Sequence, residues 1–205
     1  KLMRRRAILS YCTAGVGALA LALFVGWWRV DGPGAPEPEG QLPLPLSAMS
    51  FRLTDHEGNE VGPETLIGRP SMVFFGFTYC PDVCPTTLSD ISGWLDDLGD
   101  DATEMNVVFI TVDPARDTVP VMAEYVSVFH PRLIGLTGTE AQVAEATRNF
   151  RTWYERTEDD SAPDGYFMAH AGHIYLMRPG GEFEAVYQEG GQPPEVLAQE
   201  IRKKL

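Results

Sequence analysis

The sequence predicts an α/β domain with a mixed central sheet flanked by helices, carried behind one N-terminal transmembrane helix. Three observations predict it. Two short apolar runs rich in Val and Phe, Met72 to Phe77 and Asn106 to Val112, are each followed by a segment with helical character, as expected of buried strands alternating with helices. A second strand-turn-strand pattern lies near the C-terminus, around Ile174 to Tyr187. Ahead of all this, the 22 residues from Ala7 to Trp28 carry no charge, which is long enough to cross a bilayer.

Taken in order, Arg4, Arg5 and Arg6 precede that stretch, and Trp27 and Trp28 end it. Arginines favour the cytoplasmic side and indoles the interface. Residues 1–6 are therefore expected in the cytoplasm, 7–28 in the membrane, and the remainder outside the cytoplasm. A cleaved signal peptide is the competing reading, but the stretch is long for one and no small-x-small site follows Trp28 cleanly. Cys12 lies within the span and reads as a buried apolar residue. The five prolines and three glycines between Asp31 and Leu46 make residues 29–47 an extended linker.

Residues 48–205 form the expected domain. Phe51 to Gly62 alternates around a turn at His56 to Asn59 and reads as an edge hairpin, with His56 at the surface. The first buried strand leads into a helix marked by Leu88, Ile91, Trp94, Leu95 and Leu98. Pro85 suits a first helical turn, which makes Cys84 roughly the N-cap and leaves Cys80 in the preceding loop. The second buried strand ends in Asp113-Pro-Ala-Arg116-Asp117-Thr118. The next helix runs from about Pro120 to Phe129, and His130 beside its C-terminus suits a dipole contact. Then come a short strand, Leu133 to Leu136, and an amphipathic helix, Glu140 to Phe150. The polar stretch from Trp153 to Asp164 reads as a surface loop. A strand containing Ile174, Tyr175 and Leu176 follows, with a turn at Arg178 to Gly181, a return strand at Phe183 to Tyr187, and a last helix from about Pro194 to Lys204. The order βα-βα-βα-ββα matches a thioredoxin-like layout.

Charge narrows the function. The chain has 16 Lys+Arg and 29 Asp+Glu, a net of −13. Five of the bases precede Asp31, so the rest carries 11 bases against 29 acids, a net of −18. Such a surface argues against nucleic acid, whose binding rests on cationic contacts. It suits solubility and attraction to cationic partners or metal ions.

The reactive chemistry is concentrated in FFGFTYCPDVCP, residues 74 to 85. Cys80 and Cys84 are four positions apart, each is followed by proline, and they are the only cysteines outside the first thirty residues. A strand entering a helix sets both thiols beside the positive end of the helix dipole, which stabilises thiolate. Thioredoxin-type centres use two intervening residues. The three here, Pro81, Asp82 and Val83, can present both sulfurs to one ion, and they still allow a disulfide. A structural staple is a further alternative, though a pair in a strand-to-helix turn is placed for chemistry. His173 shares a strand face with Tyr175 and Met177 and can simply pack there. His170 lies in the loop before that strand, which in a thioredoxin-like layout faces the dithiol turn. Thioredoxin-type oxidoreductases usually keep a cis-proline in that loop, whereas residues 166 to 177 contain no proline. Two thiolates and an imidazole suit copper, and zinc accepts the same set. On the residues alone, metal binding and thiol redox chemistry both stand. At the second strand end, Asp113 and Asp117 fit a site, and Asp117 and Thr118 equally fit a helix cap.

FFGFTYCPDVCPTTL, VDPARDT, FHPRLIGLTG and the YFMAH-AGHIYL segment resemble the Sco/SenC family of membrane-anchored copper proteins, in the right order and over residues 48 to 204. The resemblance implies a thioredoxin-like domain binding copper, as Cu(I) or Cu(II), through Cys80, Cys84 and His170. His170, five residues before Tyr175, holds the family's ligand position in preference to His173. The implied work is assembly of the copper centres of haem-copper cytochrome oxidases, by copper delivery, by reduction of the target's cysteines, or by both. The implied partners are the oxidase subunit holding the copper centre, or another copper chaperone. The implied location is the bacterial inner membrane with the domain in the periplasm, the mitochondrial inner membrane being the alternative. Family members commonly carry an acidic residue before the ligand histidine and a hydroxyl residue after it. Here Ala169 and Ala171 stand there, so that side-chain support is absent.

Overall fold

The computed structural model describes residues 42–160, 162–188 and 199–203, together with Phe24. The expected membrane span at 7–28 and most of the last helix lie outside the described residues, although residues 199–202 are helical. Among the described residues no helix is long and apolar enough to cross a membrane.

Among the described residues nine strands are found, β1 (Leu53–Asp55), β2 (Glu60–Val61), β3 (Ser71–Gly76), β4 (Asn106–Thr111), β5 (Leu133–Thr137), β6 (Tyr154–Glu158), β7 (Tyr166–His170), β8 (His173–Met177) and β9 (Phe183–Gln188). The helices are α1 (Val83–Leu98), α2 (Val119–Ser127) and α3 (Glu140–Asn149). Seven strands form one sheet in the order β2-β1-β5-β4-β3-β8-β9. β3, β4 and β5 run parallel in its middle, and β8 closes antiparallel on β3. This is the mixed thioredoxin-like sheet expected from the sequence.

The centre of the sheet is where the apolar runs fell. All six residues of β3 are buried, as are five of the six in β4, because helices cover both faces of parallel strands. Phe74 stacks on Phe109 at 5.9 Å between ring centres, and Phe75 meets Phe150 edge-on at 5.3 Å. α1 buries Leu88, Ile91, Trp94, Leu95 and Leu98 against this layer. α3 opens with a capping box in which Thr139 and Gln142 satisfy each other's backbone donors. The edge hairpin is present, its turn held by the Asp55 carboxylate accepting the N–H groups of Glu57 and Asn59.

Three expectations are corrected. α1 begins at Val83 with Asp82 as its N-cap, so Cys84 lies inside the first turn. Pro85 fits there because the first four N–H groups of a helix have no partner within it. The stretch from Trp153 to Asp164, expected as a loop, contains β6, which pairs antiparallel with β7 in a separate two-stranded ribbon. His170 therefore ends a strand and does not lie in a loop. In addition, the last residues of the expected linker dock on the domain. Leu44 N–H donates to the Asn149 carbonyl, Leu46 N–H donates to that of Gly181, and the Leu46 side chain is buried.

Candidate metal centre

β3 delivers the chain to the thiols. It ends at Gly76, and a tight turn follows in which Cys80 N–H donates to the Phe77 carbonyl. Asp82 makes no side-chain cap bond. The Cys80 sulfur takes that place, accepting the N–H of Cys84 at 3.3 Å. Cys84 is fully buried and Cys80 is partly exposed, and no disulfide joins them. Gly76 makes room for Cys84, since a Cβ there would lie 2.8 Å from Cys84 Sγ and 2.8 Å from the Phe109 ring. An isolated glycine inside a strand pattern signals such a close approach, and Gly76 carries that signal in the sequence.

Cys80 is pulled down from 9.0 to about 4. The main cause is the hydrogen bond from Cys84. Burial opposes it, and His170 and the backbone N–H groups of Cys84 and Asp82 add to the lowering. The N–H groups at the helix start are thus a smaller contribution beside the Cys84 side chain.

His170 arrives from the other side, on the ribbon, where it pairs with Tyr154. Its Nε2 is 3.4 Å from Cys84 Sγ and its Nδ1 is 3.1 Å from the Ala171 carbonyl oxygen. A carbonyl only accepts, so Nδ1 carries a hydrogen there, and Nε2 is the ring nitrogen that faces the sulfurs. Phe77 and Phe74 hold the ring edge-on at 5.8 and 6.3 Å. His173 begins β8 and its Nδ1 faces the Tyr175 hydroxyl at 3.4 Å. His56 accepts the Gly135 N–H, and His130 accepts that of Arg132 and faces Asp96. None of these contacts involves a thiol.

The DPARDT segment braces the site. Asp117 is buried, and its carboxylate accepts from Thr78 N–H, from the Thr78 hydroxyl and from the Thr111 hydroxyl. It ties the turn after β3 to the end of β4, while its burial raises its pKa despite those donors. The cap reading of Asp117 is corrected accordingly, and Thr118 occupies the N-cap without a side-chain bond. Asp113 pairs with Arg116 and accepts the Tyr166 hydroxyl at 2.9 Å. Arg116 lies over the rings of Tyr166 at 3.9 Å, Tyr79 at 4.8 Å and Phe77 at 5.9 Å, joining the base of β7 to the thiol turn. Arg156 covers the Tyr166 ring at 3.8 Å. Spacing in the sequence carries no signal for these long-range partners.

A cleft of about 360 Å³ opens beside the thiols, lined by Phe77, Cys80, Pro81, Val83, Phe167, Met168, Ala169 and His170. Among the described residues no group of three or more His, Cys, Asp or Glu side chains stands ready-placed around a metal position. The sulfurs and Nε2 are in hydrogen-bonded contact with one another, and holding an ion requires that contact to open. The donor chemistry fits a soft ion, with two sulfurs, one of them a thiolate, and an imidazole nitrogen. The same pair can also close to a disulfide or attack one.

Comparison with known proteins agrees with this architecture. The SCO1/SenC family profile matches residues 41–205. SCO2-like protein RP587 of Rickettsia prowazekii is 39% identical over 133 residues, covering 65% of this chain and 65% of that protein. Mitochondrial protein SCO1 of Saccharomyces cerevisiae is 39% identical over 179 residues, covering 87% of this chain and 60% of the relative. The chain thus spans slightly under two thirds of the length of these relatives. Among solved structures, Bradyrhizobium japonicum ScoI with copper bound superposes with a TM-score of 0.70 at 39% identity, covering 76% of this chain and 97% of that one. Yeast Sco1 with copper bound gives 0.69 at 34% identity, covering 80% and 87%. On the profile match and these identities, the chain belongs to the SCO1/SenC family.

Proposed function

We propose that this protein is a membrane-anchored copper chaperone that carries copper for the assembly of cytochrome oxidase copper centres. Cys80, Cys84 and His170 hold the metal. The observation that carries the reading is the meeting of a buried thiol, a thiolate and an imidazole nitrogen, with Nε2 of His170 3.4 Å from Cys84 Sγ. Copper-bound relatives at 34–39% identity support the choice of copper over zinc. Copper is cargo here, and delivery runs by ligand exchange. The partly exposed Cys80 is the sulfur an acceptor's thiolates reach first, and buried Cys84 is the last to release. The apolar stretch Ala7 to Trp28 supports anchorage in the bacterial inner membrane with the domain in the periplasm, where confinement beside a membrane-bound oxidase raises encounter frequency.

A second reading rests on the low-pKa, accessible sulfur. Cys80 thiolate attacks a target disulfide, Cys84 resolves the mixed disulfide, and the dithiol's two electrons leave a Cys80–Cys84 disulfide. Titrating Cu(I) into the reduced, metal-free chain against a competing chelator separates the readings. Chaperone action requires one tight copper per chain, lost in Cys80→Ala and weakened far more by His170→Ala than by His173→Ala. Equal losses in the two histidine variants would remove His170 from the ligand set. Absence of competitive binding, with disulfide turnover that survives His170→Ala, would make the protein an oxidoreductase.

A further inference from the structure

Among the described residues, Met168 stands apart from the other methionines. Met49, Met72, Met105, Met122 and Met177 are buried in the core, where a thioether fills gaps. Met168 is only partly buried and lines the cleft that also contains Cys80 and His170. It lies two residues before His170 in β7, so the pleat turns both side chains to one face of the ribbon.

The rest of the lining sharpens its meaning. Phe77, Pro81, Val83, Phe167 and Ala169 supply no donor atom. With alanines on both sides of His170, the cleft's side-chain donors are one thiolate, one imidazole and one thioether. A neutral thioether is a soft ligand that favours Cu(I) and adds little to Cu(II) or zinc. Its three rotatable bonds let it reach an ion and withdraw without moving the strand.

Resting on the copper reading above, we propose that Met168 is an additional, Cu(I)-specific ligand. It engages copper in the cleft beside Cys80 and biases the protein toward the reduced ion. In transfer, the thioether holds Cu(I) on the open side while one sulfur is exchanged for an acceptor's thiolate. Only ligands exchange, and copper keeps its oxidation state.

The test uses the full chain, reduced, metal-free and labelled with selenomethionine, and compares it with Met168→Leu, a swap that conserves volume. Cu(I) and Cu(II) affinities are each measured by competition, and selenium X-ray absorption is recorded on the Cu(I) form. The expected result is a copper neighbour at selenium that vanishes in Met168→Leu. Cu(I) affinity should fall about tenfold while Cu(II) affinity stays within about twofold, as befits a soft ligand added to a complete set. Cu(I) binding that is lost in Cys80→Ala and His170→Ala but unchanged in Met168→Leu, with no copper at selenium, overturns this proposal and leaves the chaperone reading standing. Failure of the unsubstituted chain to bind Cu(I) competitively overturns both.

Discussion

The two halves of the site are held by different means. The thiol half grows out of β3, buried along its whole length in the middle of the sheet, and is locked by a buried carboxylate and a close glycine contact. The histidine half rides on β6 and β7, a largely exposed ribbon whose strands pair with each other and with no other strand among the described residues. Its links to the domain include the Tyr166 hydroxyl on Asp113 and the stack of Arg116 on the Tyr166 ring. The core places the sulfurs and a few polar contacts place the imidazole. Damage to the first half should therefore appear as lost stability or altered thiol chemistry. Damage to the second should appear as weakened ligation in a protein that still folds.

The largest effect that sharpens this contrast belongs to Cys80. With its pKa lowered to about 4, it remains thiolate through the whole neutral range. The alkylation rate of the folded, reduced, metal-free chain should be nearly flat from pH 8 to about pH 5 and fall below about pH 4. The denatured chain should lose about tenfold per unit below its ordinary thiol range. A less basic thiolate is also a weaker nucleophile, so the evidence is the shape of the profile and the absolute rate decides nothing. The sign for stability follows. A depressed pKa contributes stability that is present in full above the ordinary thiol range and lost as pH falls toward about 4. A folded profile that rises through pH 8 to 9 would mean that the Cys84 side chain, His170 and the helix N–H groups do not hold this sulfur as thiolate.

Gly76→Ala comes next and tests the core-built half. The new Cβ would meet Cys84 Sγ and the Phe109 ring at 2.8 Å each, and neither can move freely in a packed interior. A loss of about 1–3 kcal/mol in denaturant unfolding is expected from overpacking, with Cys84 displaced and copper binding weakened in step. Unchanged stability would show that this side of the site is softer than its burial implies.

The same division governs what could be read from the sequence. β3 and β4 were legible because strands buried on both faces are written as continuous Val and Phe runs. The cysteines were legible because the strand-to-helix turn is local. β6, Tyr-Glu-Arg-Thr-Glu, reads as a loop in the sequence because its residues are mostly polar, and four of the five are exposed in the fold. With no core to face, it has no alternation of apolar and polar residues to reveal it. His170 could be chosen over His173 only through the family resemblance, since its approach to Cys84 spans 86 positions. The start of α1 was misplaced because proline is tolerated throughout the first turn and so marks the turn without numbering it. Asp117 was ambiguous for a related reason, because its partner Thr78 is 39 positions away and a cap was the nearest local explanation.

The smallest expected effect tests the histidine half most directly. Tyr166→Phe removes one hydroxyl whose bond to Asp113 anchors the base of β7, while the ring remains to stack on Arg116 and Arg156. A hydrogen bond of this kind contributes about 1 kcal/mol net, a factor of roughly five in an equilibrium. Because the ribbon carries His170 and little of the core, that loss should fall on copper affinity, lowered less than about tenfold, with the midpoint of global unfolding almost unmoved. If the midpoint falls and affinity does not, the ribbon is part of the cooperative core, and the imidazole is placed by the packing of Phe74 and Phe77 around it without help from the Tyr166 tether.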